Sequence, residues 1–171
     1  MKISVARMLL GPVLILTTLW SSEGHAAAGR GATSGPNQVH FRDDDLRAQR
    51  IARRLLAKDI AQEEHRSPGP IWLRTAWVNV SPGQAPTLFV MYGCSPTGNC
   101  GLYGFEPTSS GWKLVLNSLA QRCSILSSSH GGRRDISAYM HGSATEGTIK
   151  TYLWRRNRYV RVSVRDIVFR K

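Results

Sequence analysis

The segment TIKTYLWRRNRYVRVSVRDIVF, residues 148–169, is the stretch that decides the fold class of this chain. It contains two apolar or alternating runs, 148–154 and 158–169, separated by the polar break 155–157. Runs of this kind are typical of β-strands, and a break this short is typical of a hairpin connection. The segment therefore predicts two neighbouring antiparallel strands.

The second of these strands carries different chemistry on its two sides. Successive side chains of a strand point to opposite faces. Simple alternation therefore predicts that Val160, Val162 and Val164 turn inward, while Arg161 and Arg165 lie together on the other face.

The strand pattern continues upstream as far as Pro70, and helical spacing is absent throughout this part. Short breaks rich in Gly, Pro, Ser and Asn separate the runs, and no βαβ spacing occurs, so the sheet is expected to be antiparallel. The further predicted strands are 71–80, 87–92, 102–105, 112–116, 124–127 and 135–140.

Before Pro70 the pattern is that of an amphipathic helix. The acidic run 43–45 suits a helix N-terminus, apolar residues recur at helical spacing from Ala48 to Ile60, and 67–69 ends the pattern. A basic helix of this kind can also lie on an anionic membrane surface, but its narrow, alanine-rich stripe favours docking on a sheet. The expected fold is α+β, with one N-terminal helix packed on a curved antiparallel sheet of about five to eight strands.

The N-terminus predicts export. Positive residues precede the short apolar run 8–20, and small residues follow at 26–28, which is typical of a cleavable secretory signal peptide over residues 1–28. The alternative, a transmembrane anchor, is disfavoured because the run is short and contains Gly and Pro. We expect a flexible leader over 29–42, a single domain over 43–171, and a periplasmic or secreted location without a membrane span in the mature protein.

Cysteine usage agrees with an oxidising compartment. Cys94 and Cys100 bracket turn-forming residues, which favours a disulfide between them, although three cysteines allow three single-bridge pairings and Cys123 is left over. A metal site is disfavoured because five residues separate the pair and no second ligand pair completes a set of four.

Several short motifs resemble those of small exported bacterial β-rich domains and, across about residues 87–162, of FG-GAP-type propeller-blade repeats. These motifs are G-x-Y-x-F at 101–105, G-W-K-L-V at 111–115, H-G-G-R-R-D-I at 130–136, and Y-x-W followed by R-Y-V at 152–160. The resemblance implies one or two blade-like sheets, because the chain is too short for a complete propeller. Calcium binding is not carried over, since Arg133 and Arg134 stand where the repeat has carboxylates, before the single Asp135.

Catalytic signatures are absent from the sequence. There is no phosphate-binding loop, no G-x-S-x-G and no histidine spacing typical of metal binding, so we expect neither a catalytic residue, a metal nor a cofactor. Serines near His130 and Asp135 suggest a Ser/His/Asp triad, but neighbours in one turn are better explained by turn-stabilising hydrogen bonds. The alternative function is a cell-envelope hydrolase that uses His130 or His141 with Asp135 or a serine.

The dominant physical signal is positive charge. The chain has 23 Lys and Arg against 11 Asp and Glu, a net charge of +12. Residues 150–171 carry eight basic side chains against Asp166 alone. The arginine fork suits phosphate, sulfate or carboxylate, although such residues also protect an edge strand from aggregation.

We therefore expect a non-catalytic exported binding domain whose partner is an anionic envelope component or an acidic protein. Nucleic acid is disfavoured because export removes the protein from the cytoplasm, and a structural or interaction subunit is a further alternative. The predicted anion-binding residues are Lys150, Arg155, Arg156, Arg158, Arg161 and Arg165.

Overall fold

The computed structural model describes residues 38–66 and 69–169. The predicted signal peptide lies outside them, as does most of the leader. The elements, in chain order, are α1 Leu46–Leu55, α2 Ala57–Arg66, β1 Leu73–Val78, β2 Thr87–Tyr92, β3 Cys100–Thr108, β4 Gly111–Ala120, β5 Arg122–His130, β6 Arg133–Ser143, β7 Glu146–Arg155 and β8 Arg158–Val168.

The strands form two antiparallel sheets of four, ordered β1-β2-β3-β4 and β5-β6-β7-β8. Each predicted strand is present, and the class α+β holds, but the prediction of one helix on a single sheet was wrong. Only Gln121 separates β4 from β5, so the chain passes from one sheet to the other without a loop. Alternation along a strand does not report which sheet the strand joins, and this is why the division was missed.

The helical segment is two helices instead of one. The chain leaves helical geometry at Leu56, where φ is −104° and ψ is 15°. Asp45 caps α1, since its Oδ1 accepts the Ala48 N–H at 2.9 Å. Buried Ala48 and Ala52 of α1 and Ile60 of α2 place both helices on the same cluster of side chains from the first sheet.

The first sheet is the middle of three layers. One face of this sheet packs against the helices through Leu88, Val90 and Phe105. Its other face meets the second sheet through Phe89, Met91 and further residues of β3 and β4. Strand β2 is therefore buried along its whole length, and complete burial of a side chain such as Phe89 stabilises the fold by about 1.5–3 kcal/mol.

Residues 38–42, which the sequence places in a flexible leader, are paired with both sheets. The Val39 N–H donates to the Cys123 carbonyl at 2.9 Å, beside a bridge between Gln38 and Ser124. Arg42 and Thr75 exchange backbone hydrogen bonds of 2.9 and 2.8 Å. This segment consequently covers the outer edges of β5 and β1.

In residues 38–66 and 69–169, no helix combines the length and the apolar character needed to cross a membrane.

Candidate anion-binding site

The β7–β8 hairpin concentrates positive charge at one end of the second sheet. Arg155 pairs with Arg158, and the two residues between them, Arg156 and Asn157, have φ values of 50° and 61°. Two successive left-handed residues give the turn that matches strand twist in a two-residue hairpin. Asn tolerates this conformation well, whereas a long side chain such as that of Arg156 adopts it uncommonly.

A bulge interrupts the alternation of side chains in β8. Tyr152 pairs with Arg161, but its neighbour Thr151 pairs with Ser163, so Val162 is an extra residue without a partner in β7. Cross-strand partners lie on the same face, which places Arg161 with Tyr152, on the side of the core between the sheets.

The same register puts Arg165 on the other face, because it pairs with Ile149, three residues from Tyr152 along β7. The expectation that Arg161 and Arg165 share a face was therefore wrong. The predicted inward face of three valines was also wrong: Val164 pairs with Lys150 on the face of Tyr152, whereas Val160 pairs with Leu153 on the opposite face. Val162 and Val164 are 42% and 53% exposed.

The six predicted anion-binding residues have no carboxylate partner in the described part of the chain, where the ion pairs are Arg42–Asp44, His130–Asp135 and Arg133–Glu106. The β7–β8 hairpin has two acidic residues, Glu146 and Asp166, and Asp166 accepts a hydrogen bond from the Thr148 hydroxyl at 3.0 Å. Lys150 lies on the same face as Arg161, and partial burial together with the Arg161 charge lowers the pKa of Lys150. The repulsion between Lys150 and Arg161 is therefore not offset by an ion pair of either residue in the described part of the chain.

A groove of about 470 Å³ lies between β4 and β8 and is lined by Arg158 and Arg161. Leu114 and Val160 add apolar walls. Tyr152 also lines the groove, and its hydroxyl lies 2.6 Å from the hydroxyl of Ser118, which links the two sheets. The groove thus has two arginines in its lining beside apolar residues, which suits a ligand with an anionic group on an extended body.

Tyr159 also lines the groove, and its hydroxyl donates to the Arg134 carbonyl at 3.1 Å. Burial raises the pKa of Tyr159, so the hydroxyl keeps its proton and its hydrogen bond.

The structure divides the six predicted residues into three settings. Lys150 and Arg161 are on the face of Tyr152; Arg155, Arg158 and Arg165 are on the opposite face; Arg156 is in the turn. Arg158 and Arg161 both line the groove. The groove residues of β4 were missed because no signal in the sequence shows that β4 crosses beside β8.

A second polar cluster lies at the β5–β6 hairpin. The Asp135 side chain is 1% exposed, and its two carboxylate oxygens lie 2.9 and 2.8 Å from Nδ1 of His130. The carboxylate also accepts a hydrogen bond from the Ser128 hydroxyl at 2.6 Å. Ser128 donates to the carboxylate instead of the imidazole, so these three residues are not a nucleophilic triad. Ser128 lies within the bulge of β5, between Ile125 and Ser129, and Asp135 lies opposite the bulge in β6.

The cysteines are arranged as the turn chemistry predicts. Cys94 and Cys100 form a disulfide, while Cys123 is free and fully buried, which raises its pKa to about 12. In the described ranges, no group of three His, Cys, Asp or Glu side chains is placed to hold a metal ion.

Comparison with known proteins gives no match: none was found among protein-family models, curated proteins or solved structures. The resemblance of residues 87–162 to exported β-rich domains and FG-GAP-type repeats therefore stays a prediction.

Proposed function

We propose that this protein is a non-catalytic, exported binding domain that recognises an anionic partner through the β7–β8 hairpin and the adjoining groove. The observation that carries the proposal is the set of basic side chains in β7, β8 and their turn, which have no carboxylate partner in the described residues. A folded protein gains nothing in stability from such mutual repulsion, whereas an anionic ligand relieves it.

Export is supported by two features that are independent of the charge. The sequence pattern of residues 1–28 is that of a signal peptide, and the Cys94–Cys100 disulfide suits an oxidising compartment.

Arginine suits this role because its planar fork binds two oxygens of one phosphate, sulfate or carboxylate group. Arg158 and Arg161 both line the groove, so an anionic ligand there lies close to two arginines from opposite faces of β8. Interactions at an exposed site are screened by salt over about 8 Å at physiological ionic strength. Binding is therefore expected to weaken strongly as salt rises.

The test uses the protein from residue 29 onward, with polyglutamate, a sulfated polysaccharide and phosphatidylglycerol vesicles as probes. The triple variant Arg155→Glu, Arg156→Glu, Arg158→Glu is expected to lose binding to the probe that the unaltered protein captures at low salt. Its matched control reverses three exposed arginines of α1, namely Arg47, Arg50 and Arg53.

Both triple variants change the net charge equally, so a difference in binding between them can come only from the position of the replaced arginines. Retained binding in the α1 variant supports the hairpin site. Equal loss in both variants, or binding that does not change with salt, overturns the proposal.

The second candidate function, a cell-envelope hydrolase, is favoured by the geometry of His130. The buried Asp135 carboxylate holds Nδ1 of His130 at 2.8 Å, and the His130 side chain is 49% exposed, so the imidazole is positioned by a carboxylate and open to water. Hydrolysis of chromogenic ester or phosphodiester substrates that disappears in His130→Gln supports this function, and the absence of any turnover removes it.

A further inference from the structure

We propose that the anionic partner is an acidic polypeptide segment that binds in extended conformation along the free edge of β8, as an added strand of the second sheet. This inference rests on the proposed anion-binding function and narrows its partner to one chemical class. Strand addition takes affinity from main-chain hydrogen bonds and specificity from side chains at alternate positions.

The two sheets have four edge strands, β1, β4, β5 and β8, and of the two that no other described segment pairs with, β4 and β8, only β8 carries arginines. Residues 38–42 cover the outer edges of β5 and β1 through the bridges Gln38–Ser124 and Arg42–Thr75. Strand β8 pairs with β7 alone within the part of the chain that the structure describes. Its outer edge therefore presents main-chain donors and acceptors that a further strand can satisfy.

Exposure along β8 supports an added strand. Every residue from 161 to 166 is exposed. Three valines of the strand, Val162, Val164 and Val168, are 42%, 53% and 69% exposed. Apolar side chains in an uncovered edge strand gain from burial under a partner. The groove beside Val160 and Arg161 is open to a side chain of that partner.

Charge selects an acidic strand over a second copy of this chain. Two β8 strands placed edge to edge would bring the three arginines of one copy, Arg158, Arg161 and Arg165, close to those of the other, with Asp166 as the single carboxylate of each strand. Like charges on neighbouring strands destabilise the pair, whereas carboxylates opposite the same arginines stabilise it.

The bulge at Val162 adds a requirement on the partner. Because Arg161 and Arg165 lie on opposite faces of the sheet, a strand beside β8 meets a cation on each face. A peptide with carboxylates on both faces is therefore expected to bind more tightly than one with all its carboxylates on one face.

The experiment uses a capped octapeptide, Glu-Glu-Val-Glu-Glu-Val-Glu-Glu, and the same peptide N-methylated at its internal residues. The two carry identical charge, but the methylated peptide lacks the internal N–H donors. We expect the first peptide to slow hydrogen exchange of amides in residues 162–168 and the methylated peptide to bind roughly tenfold more weakly without protecting them. Arg161→Glu with Arg165→Glu is expected to abolish binding, and Arg47→Glu with Arg50→Glu to retain it.

The outcomes separate this inference from the proposed function. Equal, salt-sensitive binding of both peptides without protection of β8 overturns strand addition and leaves anion binding intact. If phosphatidylglycerol vesicles or a sulfated polysaccharide bind but neither peptide does, the acidic polypeptide is the wrong partner and the proposed anion binding stands. If the protein instead forms a concentration-dependent dimer with β8 protected from exchange, the partner of β8 is a second copy of this chain. Failure of every polyanion to bind overturns both.

Discussion

Arg161 and Arg165 are four residues apart in β8, yet they lie on opposite faces of the second sheet because Val162 is the extra residue of a bulge. A regular strand would place both arginines on one face. The bulge instead puts Arg161 on the face of Lys150 and leaves Arg165 beside Ile149. This placement affects Lys150: burial is the larger cause that lowers its pKa, and the positive charge of Arg161 is the smaller one.

Replacing Arg161 with Ala is expected to raise the pKa of Lys150 toward its ordinary value, because the nearby positive charge is removed. The measurement is an NMR titration of isotope-labelled lysine side chains. The matched control is Arg165→Ala, which removes the same charge from the opposite face and is expected to leave the Lys150 titration unchanged. Equal shifts in the two variants would show that the bulge does not separate the arginines.

Asp135 is expected to stabilise the fold because it is buried and accepts hydrogen bonds from two side chains, Ser128 and His130. Asp135→Ala removes both bonds and is expected to lower the free energy of unfolding by about 2–3 kcal/mol. Ser128→Ala removes one bond and is expected to cost about 1 kcal/mol. Urea unfolding followed by circular dichroism measures the free energy of unfolding of both variants. An unchanged unfolding midpoint in Asp135→Ala would contradict the stabilising role of Asp135.

Asp45 is expected to couple α1 to the first sheet. Its two oxygens accept from the Ala48 N–H and from Nε1 of Trp77 at 3.0 Å, so one side chain caps the helix and contacts β1. Asp45→Ala is expected to cost about 1–2 kcal/mol and to change the tryptophan emission on loss of that contact. The neighbouring variant Asp44→Ala serves as the control, since Asp44 is exposed and its side chain pairs with that of Arg42 at the surface. If both variants unfold at the same urea concentration, the cap has no energetic role.

The local elements of this fold follow from the sequence because they depend on neighbouring residues. Strand β2 was predicted with its full bounds, and the Arg155–Asn157 break marks the β7–β8 hairpin. Strands β3 to β7 extend further than predicted, since Gly, Ser and charged residues continue the pairing toward a hairpin, whereas β1 and β8 are shorter than predicted. Such residues weaken the apolar signal without preventing ladder hydrogen bonds.

Features that depend on distant pairing were not predictable in the same way. The bulge at Val162 exists only relative to the register of β7, and the groove exists only because β4 lies beside β8. Residues 38–42 have the composition of a leader, yet they pair with strands more than thirty residues away in sequence. Of the candidate site, the arginines were therefore predictable, but their division between two faces was not.

Cys123 is expected to be inert toward thiol reagents in the folded protein. The thiolate is the reactive form, and complete burial raises the Cys123 pKa to about 12, so at neutral pH the group stays protonated and out of reach. Labelling with an aromatic disulfide reagent is expected to give no reactive thiol in the native protein and one in denaturant. After reduction of Cys94–Cys100, followed by removal of the reductant in denaturant, three are expected. Rapid labelling of one thiol in the native state would contradict the burial of Cys123, and three reactive thiols in denaturant without reductant would contradict the disulfide.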